Sequence, residues 1–309
     1  MVTIAVIGEG MVELSRSGEH GGIAGWETHH GGDALNSAIH LARFGLETGF
    51  ISALGADPLS RALRRSWAEE GLDLTHLLTH PDRNAGLYAI ETDAEGERSF
   101  AYWRSDSAAR AMLDLPEAEA ALAHAARCDL LYLSLISLAI LSPARRERLA
   151  GLCRDVRANG GRVAFDSNFR PRLWSWPAEA RAAVEAIGPL VDIALPTQVD
   201  EAALFGPEPI DAVADRWLGW GVAEVAVKSG ADGCLVATRD GRHRIAPPRA
   251  VVAVDSSGAG DAFNAGYLAA RLAGRAPARA APAGHELAAW TILRRGAIPP
   301  RDHEAPYRF

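Results

Sequence analysis

Apolar positions along the 309 residues follow two alternating rhythms. Short apolar runs of strand length occupy residues 3–7, 48–54, 130–134, 162–165, 192–195 and 224–227. Helical spacing fills most of the intervals. Leu35, Ala38, Ile39 and Ala42 share one face of a helix that Asp33 can N-cap. Ser142-Pro143 supplies a cap and a proline at the first helical position, opening a helix that runs to about Asn159 and closes on Gly160-Gly161. Strands that are apolar throughout, not alternating, are buried on both faces. Separated by helices, they predict an α/β fold with a mostly parallel sheet between two helical layers, joined by right-handed crossovers.

Two stretches break the rhythm. Residues 13–32 carry Gly18, Gly21, Gly22, Gly25, Gly31 and Gly32 with little helical period. Residues 86–104 read as two alternating strands around an Asp-Ala-Glu-Gly turn, with aromatics on alternate positions. Together they predict antiparallel strands forming a small β lid outside the main sheet. No internal repeat is visible, and the Ala/Pro/Arg-rich residues 271–282 read as a helix end and loop. The expectation is a single domain spanning residues 1–309.

Apolar residues make up 48% and charged residues 23%, which excludes wholesale disorder. The net charge of −7 argues against nucleic acid as a partner, since that binding depends on Lys and Arg neutralising phosphates. Cys128, Cys153 and Cys234 are far apart and odd in number, as in a reduced, cytoplasmic protein. The opening residues form a strand without the basic start of a signal peptide. No run approaches the about 20 apolar residues of a membrane span. Among 32 basic residues Lys228 is the single lysine.

Several motifs fail. Gly8-Glu9-Gly10 begins like a dinucleotide fingerprint, but Glu13 stands where the third glycine belongs, and an acid there repels pyrophosphate. There is no Walker-type P-loop, no nucleophile elbow and no zinc-protease helix. His29-His30 are neighbours on a predicted strand and face opposite sides, which suits solvated lid histidines better than a metal pair.

One segment holds. Residues 251–266 read VVAVDSSGAGDAFNAG: a predicted strand ending at Asp255, a run of small residues, then a helix. Gly258, Ala259 and Gly260 let backbone amides converge at the helix N-terminus, a ready anion site. Asp261 lies in the first turn beyond it. A carboxylate beside an anion cradle suits phosphoryl transfer to a hydroxyl, which needs donors for the phosphoryl group and a base for the alcohol. The competing reading makes Asp261 an ordinary first-turn acid favoured by the helix dipole.

These residues resemble the C-terminal signature of the ribokinase-like (PfkB) carbohydrate kinases. Gly31-Gly32-Asp33-Ala34-Leu35-Asn36 is similar to the family's N-terminal sugar-binding element, and Ser52-Ala53-Leu54-Gly55-Ala56-Asp57 to its strand-then-G-x-D step. Order and spacing match over the whole chain. The resemblance implies a three-layer α/β/α fold with a β lid, ATP as donor, Mg²⁺, and a sugar hydroxyl as acceptor. It implies Asp261 as base, the amides of Gly258, Ala259 and Gly260 as the anion hole, and Gly32, Asp33 and Asn36 on the sugar. It puts Asn168, Ser229, Gly230, Gly233 and His285 beside the nucleotide.

Within the family the chain looks most like 2-keto-3-deoxygluconate kinases, through Gly86-Leu87-Tyr88, Tyr102-Trp103-Arg104, the Asp166-Ser167-Asn168-Phe169-Arg170-Pro171 stretch and Arg295-Gly296-Ala297. A sugar acid carries a carboxylate, and Arg binds carboxylates through a planar fork. Arg104 ends the hairpin with Tyr102 on the same strand face, and Arg170 follows a strand at its carboxyl end, where open α/β sheets hold ligands. Both are expected to meet the acid, with Tyr88 and Tyr102 along the polyol and Arg170 also near the nucleotide.

Lys228 and Ser229 open a glycine turn that reads either as a nucleotide loop reaching ATP phosphates or as a plain strand-end turn. The family's N-x-x-E step, linked to Mg²⁺ through water, is Thr197-Gln198-Val199-Asp200-Glu201 here, so either Asp200 or Glu201 supplies the carboxylate. The lid's exposed strand edges imply a homo-oligomer through the lid. A neutral-sugar kinase and a non-catalytic sensor on a kinase fold are the alternatives. The arginines argue against the first and the intact glycine–aspartate set against the second.

Overall fold

The computed structural model describes residues 3–16, 25–92 and 98–308. Its strands are β1 (Thr3–Ile7), β2 (Met11–Arg16), β3 (Trp26–Gly31), β4 (Glu47–Leu54), β5 (Leu77–Thr79), β6 (Gly86–Thr92), β7 (Arg98–Trp103), β8 (Leu130–Ser134), β9 (Arg162–Asp166), β10 (Ile193–Ala194), β11 (Glu224–Lys228), β12 (Cys234–Thr238) and β13 (Gly241–Ile245). Nine of them form one sheet in the order β13-β12-β11-β10-β9-β8-β1-β4-β5. Pairing is parallel from β5 through to β11 and antiparallel for the β11–β12 and β12–β13 edge. The chain leaves β1 for β4 on one side and reaches β8 on the other. That reversal opens a crevice at the carboxyl ends of β1 and β8, the usual ligand position in an open α/β sheet.

The helices are α1 (Asp33–Arg43), α2 (Pro58–Glu69), α3 (Ala118–Ala125), α4 (Leu135–Ala139), α5 (Pro143–Ala158), α6 (Pro177–Ile187), α7 (Gln198–Phe205), α8 (Ile210–Gly219), α9 (Ala259–Leu272) and α10 (Pro277–Ile292). They cover both faces. Leu131, Leu133 and Phe165 pack with Leu149, Val184 and Trp217 from α5, α6 and α8. Leu130, Tyr132 and Ala164 pack on the other side with Leu35, Trp67, Tyr267 and Leu287 from α1, α2, α9 and α10. Alternate residues of one strand thus feed two cores, which is why these strands read as unbroken apolar runs. None of the described helices is long and apolar enough to cross a membrane.

The smaller sheet has the order β3-β2-β6-β7. It begins at Met11, two residues before the predicted lid, and it is mixed: β2 runs parallel to β6, while the outer pairs β2–β3 and β6–β7 are antiparallel. The Asp93–Gly96 turn and Gly18, Gly21 and Gly22 lie outside the described residues.

Other expectations are corrected. Asp33 is the first residue of α1 and not its cap; Gly32 takes that place at φ 143°, where any Cβ would stand 2.2 Å from the Glu9 carbonyl oxygen. Residues 251–255 are not a strand. Val252 and Val254 are exposed, and the amides of Val254 and Asp255 bond the Ile292 carbonyl at the end of α10 instead of a sheet neighbour. A β-branched run needs a partner strand to become one. The 271–282 segment holds only a short break, because α10 already starts at Pro277 and carries Pro282 inside it. His29 is exposed, but its neighbour His30 is half-buried and meets Ser66 Oγ at 3.2 Å. The hairpin of β12 and β13 went unread because β13 is polar and sits at the sheet edge.

Candidate active site

Gly258 starts α9 in the left-handed region, at φ +70°. The turn before it is clamped by Asp255, whose carboxylate accepts from Ser257 N and Gly296 N, each at 2.8 Å. Among the described residues no backbone carbonyl accepts from the amides of Gly260 and Asp261. They are orphan donors at a helix N-terminus, aided by its dipole.

Asp261 follows them and is buried. Its Oδ2 accepts from Asn36 Nδ2 of α1 at 2.8 Å, and its carbonyl accepts from Ser37 Oγ at 3.3 Å. Burial pushes the Asp261 carboxyl from 3.8 up to about 7; the charges of Asp33 and Asp166 push the same way, against the Asn36 hydrogen bond and Lys228. Burial also raises Asp33, which accepts from Ser134 Oγ at the end of β8 and from Asn168 Nδ2 at 3.3 Å. The carboxyl lies higher than that of an ordinary first-turn acid chiefly because it is buried, with the neighbouring Asp33 and Asp166 adding to the rise.

Lys228, the last residue of β11, is buried among them. Its Nζ donates to Asp166 Oδ2 at 3.0 Å and to Asn264 Oδ1 at 2.9 Å. Asn264 Nδ2 completes the set with bonds to Asp166 Oδ2 at 2.7 Å and Tyr132 Oη at 3.0 Å. The ammonium stands 3.6 Å from where a Cβ on Gly260 would lie, so it belongs to the α9 N-terminus and not to an exposed loop. Asp166, Asn264, Tyr132 and Ser134 were not singled out as site residues from the sequence. Asn264 had a readable signal, lying three residues after Asp261 on the same helical face.

The sugar-side residues are more committed than expected. Arg104 does not present an unpaired guanidinium: Nη2 is bonded to the buried carboxylate of Glu9, whose other oxygen accepts from Ser107 Oγ. Its buried Nε has no hydrogen-bond partner. Tyr88 donates its hydroxyl to Glu13, and its ring stacks on Tyr102 with centroids 5.8 Å apart. The Tyr102 side chain is exposed. Glu9, missed in the sequence, sits between the two glycines that suggested a nucleotide fingerprint. Arg170 is half-exposed, 3.6 Å from Asp200 Oδ1.

Of the two candidate metal-side acids, Glu201 is fully buried and accepts from Arg216 Nη2 at 2.9 Å. Asp200 is less enclosed and is pushed up to about 6 by burial, with Arg170 opposing and Asp166 adding. A desolvated carboxylate of this kind suits a hard divalent cation that keeps most of its waters. Beside the Ser229 turn, with Gly230 and Gly233 at positive φ, lies a hollow of about 240 Å³ lined by Gln198, Ile210, Ser229, Asp232, Cys234 and Arg244. Ser229 Oγ donates to Gln198 Oε1 at 2.8 Å. His285 is buried against Phe263, with Nε2 3.2 Å from the Ile245 carbonyl.

The arrangement can take a proton from a hydroxyl at Asp261 while the orphan amides face an anion. The sequence matches the pfkB family of carbohydrate kinases over residues 1–304. The 2-dehydro-3-deoxygluconokinase of Dickeya dadantii is 44% identical over 305 residues, covering 96% of each chain. That of Escherichia coli K12 is 43% identical over 307 residues, covering 97% of each. A putative ribokinase II from E. coli, solved with ATP and Mg²⁺, superposes with a TM-score of 0.83 at 25% identity, over 96% of this chain and 95% of that one. The chain belongs to the pfkB family of carbohydrate kinases, and it is a carbohydrate kinase.

Proposed function

We propose that the enzyme transfers the γ-phosphoryl group of ATP to the terminal hydroxyl of 2-keto-3-deoxygluconate, giving the 6-phosphate. The relatives at 43% and 44% identity support the acceptor, which is the 2-dehydro-3-deoxygluconate of their names. The observation that carries the mechanism is the Asp261 carboxyl, raised to about 7 directly beside unpaired helix-start amides. A base at that value is half-ionised near neutral pH and strong enough to help a hydroxyl proton leave.

Asp261 takes the proton of the acceptor hydroxyl as that oxygen attacks phosphorus. The amides at the start of α9 hold the charge on the transferring group, and Lys228, with a third N–H beyond its two internal bonds, adds a cation at the same place. Asn36 fixes the carboxylate of Asp261, Asp33 stands on the sugar side, and Asn168, bonded to Asp33, stands between it and the nucleotide. Asp200 would hold Mg²⁺ through water, and the ion would neutralise charge on the ATP phosphates. Ser229, Gly230, Gly233 and His285 flank the nucleotide side.

The lid sheet of β2, β3, β6 and β7 covers the sugar and excludes water, which competes with the acceptor for phosphoryl. Arg104 engages the sugar acid through its unpartnered Nε edge, with Arg170 on the sheet side. A coupled ADP-release assay over sugars and sugar acids tests the reading. Turnover confined to neutral sugars would overturn the acceptor.

A further inference from the structure

The chain beyond Ala297 returns across the end of α1. Arg43 Nη1 donates to the Pro299 carbonyl at 2.7 Å and to Tyr307 Oη at 3.3 Å, while Nε and Nη2 each bond Glu70 at 2.7 Å. Tyr307 Oη lies 2.7 Å from His40 Nδ1, and His40 Nε2 lies 3.1 Å from the Ala297 carbonyl. A carbonyl only accepts, so Nε2 carries the proton, Nδ1 accepts, and the tyrosine hydroxyl is the donor. Burial pushes His40 down to about 3, which keeps the imidazole neutral and this order fixed. Every donor from Arg43 to Ala297 points the same way, and such chains polarise one another.

This hydrogen-bond series ends on the Ala297 carbonyl, where the wall of the active site begins. A Cβ on Gly258 would stand 2.5 Å from the Cβ of Ala297, so the two backbones are pressed together. Gly296, one residue earlier, donates to the Asp255 clamp. Asn36 and His40 are four residues apart on one face of α1. One helix therefore touches Asp261 through Asn36 and the wall of the 258–260 turn through His40.

We propose that His40 and Tyr307 are positioning residues that hold Ala297 against Gly258 and so keep the amides at the start of α9 aimed at the transferring phosphoryl group. The inference rests on the proposed role of that turn.

Tyr307→Phe keeps the ring, packed edge-on to Phe44 at 5.2 Å and Trp290 at 5.7 Å, and deletes the donor. His40→Leu deletes both bonds at similar volume, and His40→Gln retains a donor for Ala297. The expected result is a kcat lowered about 5- to 30-fold in Tyr307→Phe and His40→Leu, with both KM values within about twofold and recovery of most of the loss in His40→Gln. Wild-type kcat in Tyr307→Phe and His40→Leu overturns the inference, as does an equal loss in His40→Gln and His40→Leu. If His40→Leu does not fold, Tyr307→Phe and His40→Gln decide. Gly260→Val separates the two levels. An inactive Gly260→Val with wild-type kcat in Tyr307→Phe removes the strap alone; a fully active one removes the role of the turn, and the inference with it.

Discussion

Asn36 Nδ2 reaches across from α1 to donate to Asp261 Oδ2 at 2.8 Å, joining the N-terminal glycine-rich element to the C-terminal one over 225 residues of sequence. The bond favours the ionised carboxylate, yet burial and the neighbouring Asp33 outweigh it and leave the group at about 7. A base must be deprotonated to act, so kcat/KM should rise with pH up to about 7 and level off above it. Initial rates from about pH 5.5 to 8.5 check this. A flat profile across that window contradicts the assignment.

Asp261→Asn should keep nucleotide affinity and lower kcat by about 10²- to 10⁴-fold, the usual worth of a positioned base. Its stability should move the other way. The folded-state value lies above the ordinary 3.8, so the native state holds an extra proton between 3.8 and about 7 and loses stability as pH rises through that interval. The amide carries no such penalty. Thermal melts at pH 8 should place Asp261→Asn no lower than wild type. A variant that is both active and less stable would argue for a structural carboxylate.

Arg104 is tied to folding through Glu9 as well as to its proposed role at the substrate. Arg104→Ala strands the carboxylate of Glu9, which is 1% exposed, and should cost about 3–5 kcal/mol of stability. The double variant Glu9→Gln/Arg104→Met removes both charges at similar volume and should melt near wild type. In that background kcat/KM for the sugar acid should fall by tens- to hundreds-fold, roughly, with little change for fructose. An undiminished preference for the acid in the double variant would remove Arg104 from specificity.

β7 is an edge of the lid sheet, and Trp103 at its end is 61% exposed. An open edge with an exposed aromatic calls for a cover, and a second copy of the lid would supply one. Light scattering at micromolar concentration should give a dimer, and Trp103→Glu should shift it toward monomer. A monomeric wild type contradicts the lid dimer.

The parallel sheet was legible because its strands feed two cores and read as unbroken apolar runs, as at Leu130 to Leu133. The antiparallel edge was not, since β13 is Gly-Arg-His-Arg-Ile and carries no such signal. Residues 251–255 misled for the opposite reason: their valines have β propensity but no neighbouring strand. Asp261 and Gly258 were singled out by local pattern, and Asn36 by the family resemblance. Glu9 on Arg104, Asp166 on Lys228 and Tyr307 on His40 were not, because each partner lies 62 or more residues away and pairing at that distance is set by topology.

The most direct test of the central claim is ADP formation by the purified enzyme with ATP and Mg²⁺, comparing 2-keto-3-deoxygluconate with fructose and ribose. The account predicts kcat/KM for the keto-deoxy acid at least tens-fold, roughly, above either neutral sugar, since those leave the arginine edge without its carboxylate. Equal or higher kcat/KM for fructose or ribose would contradict it.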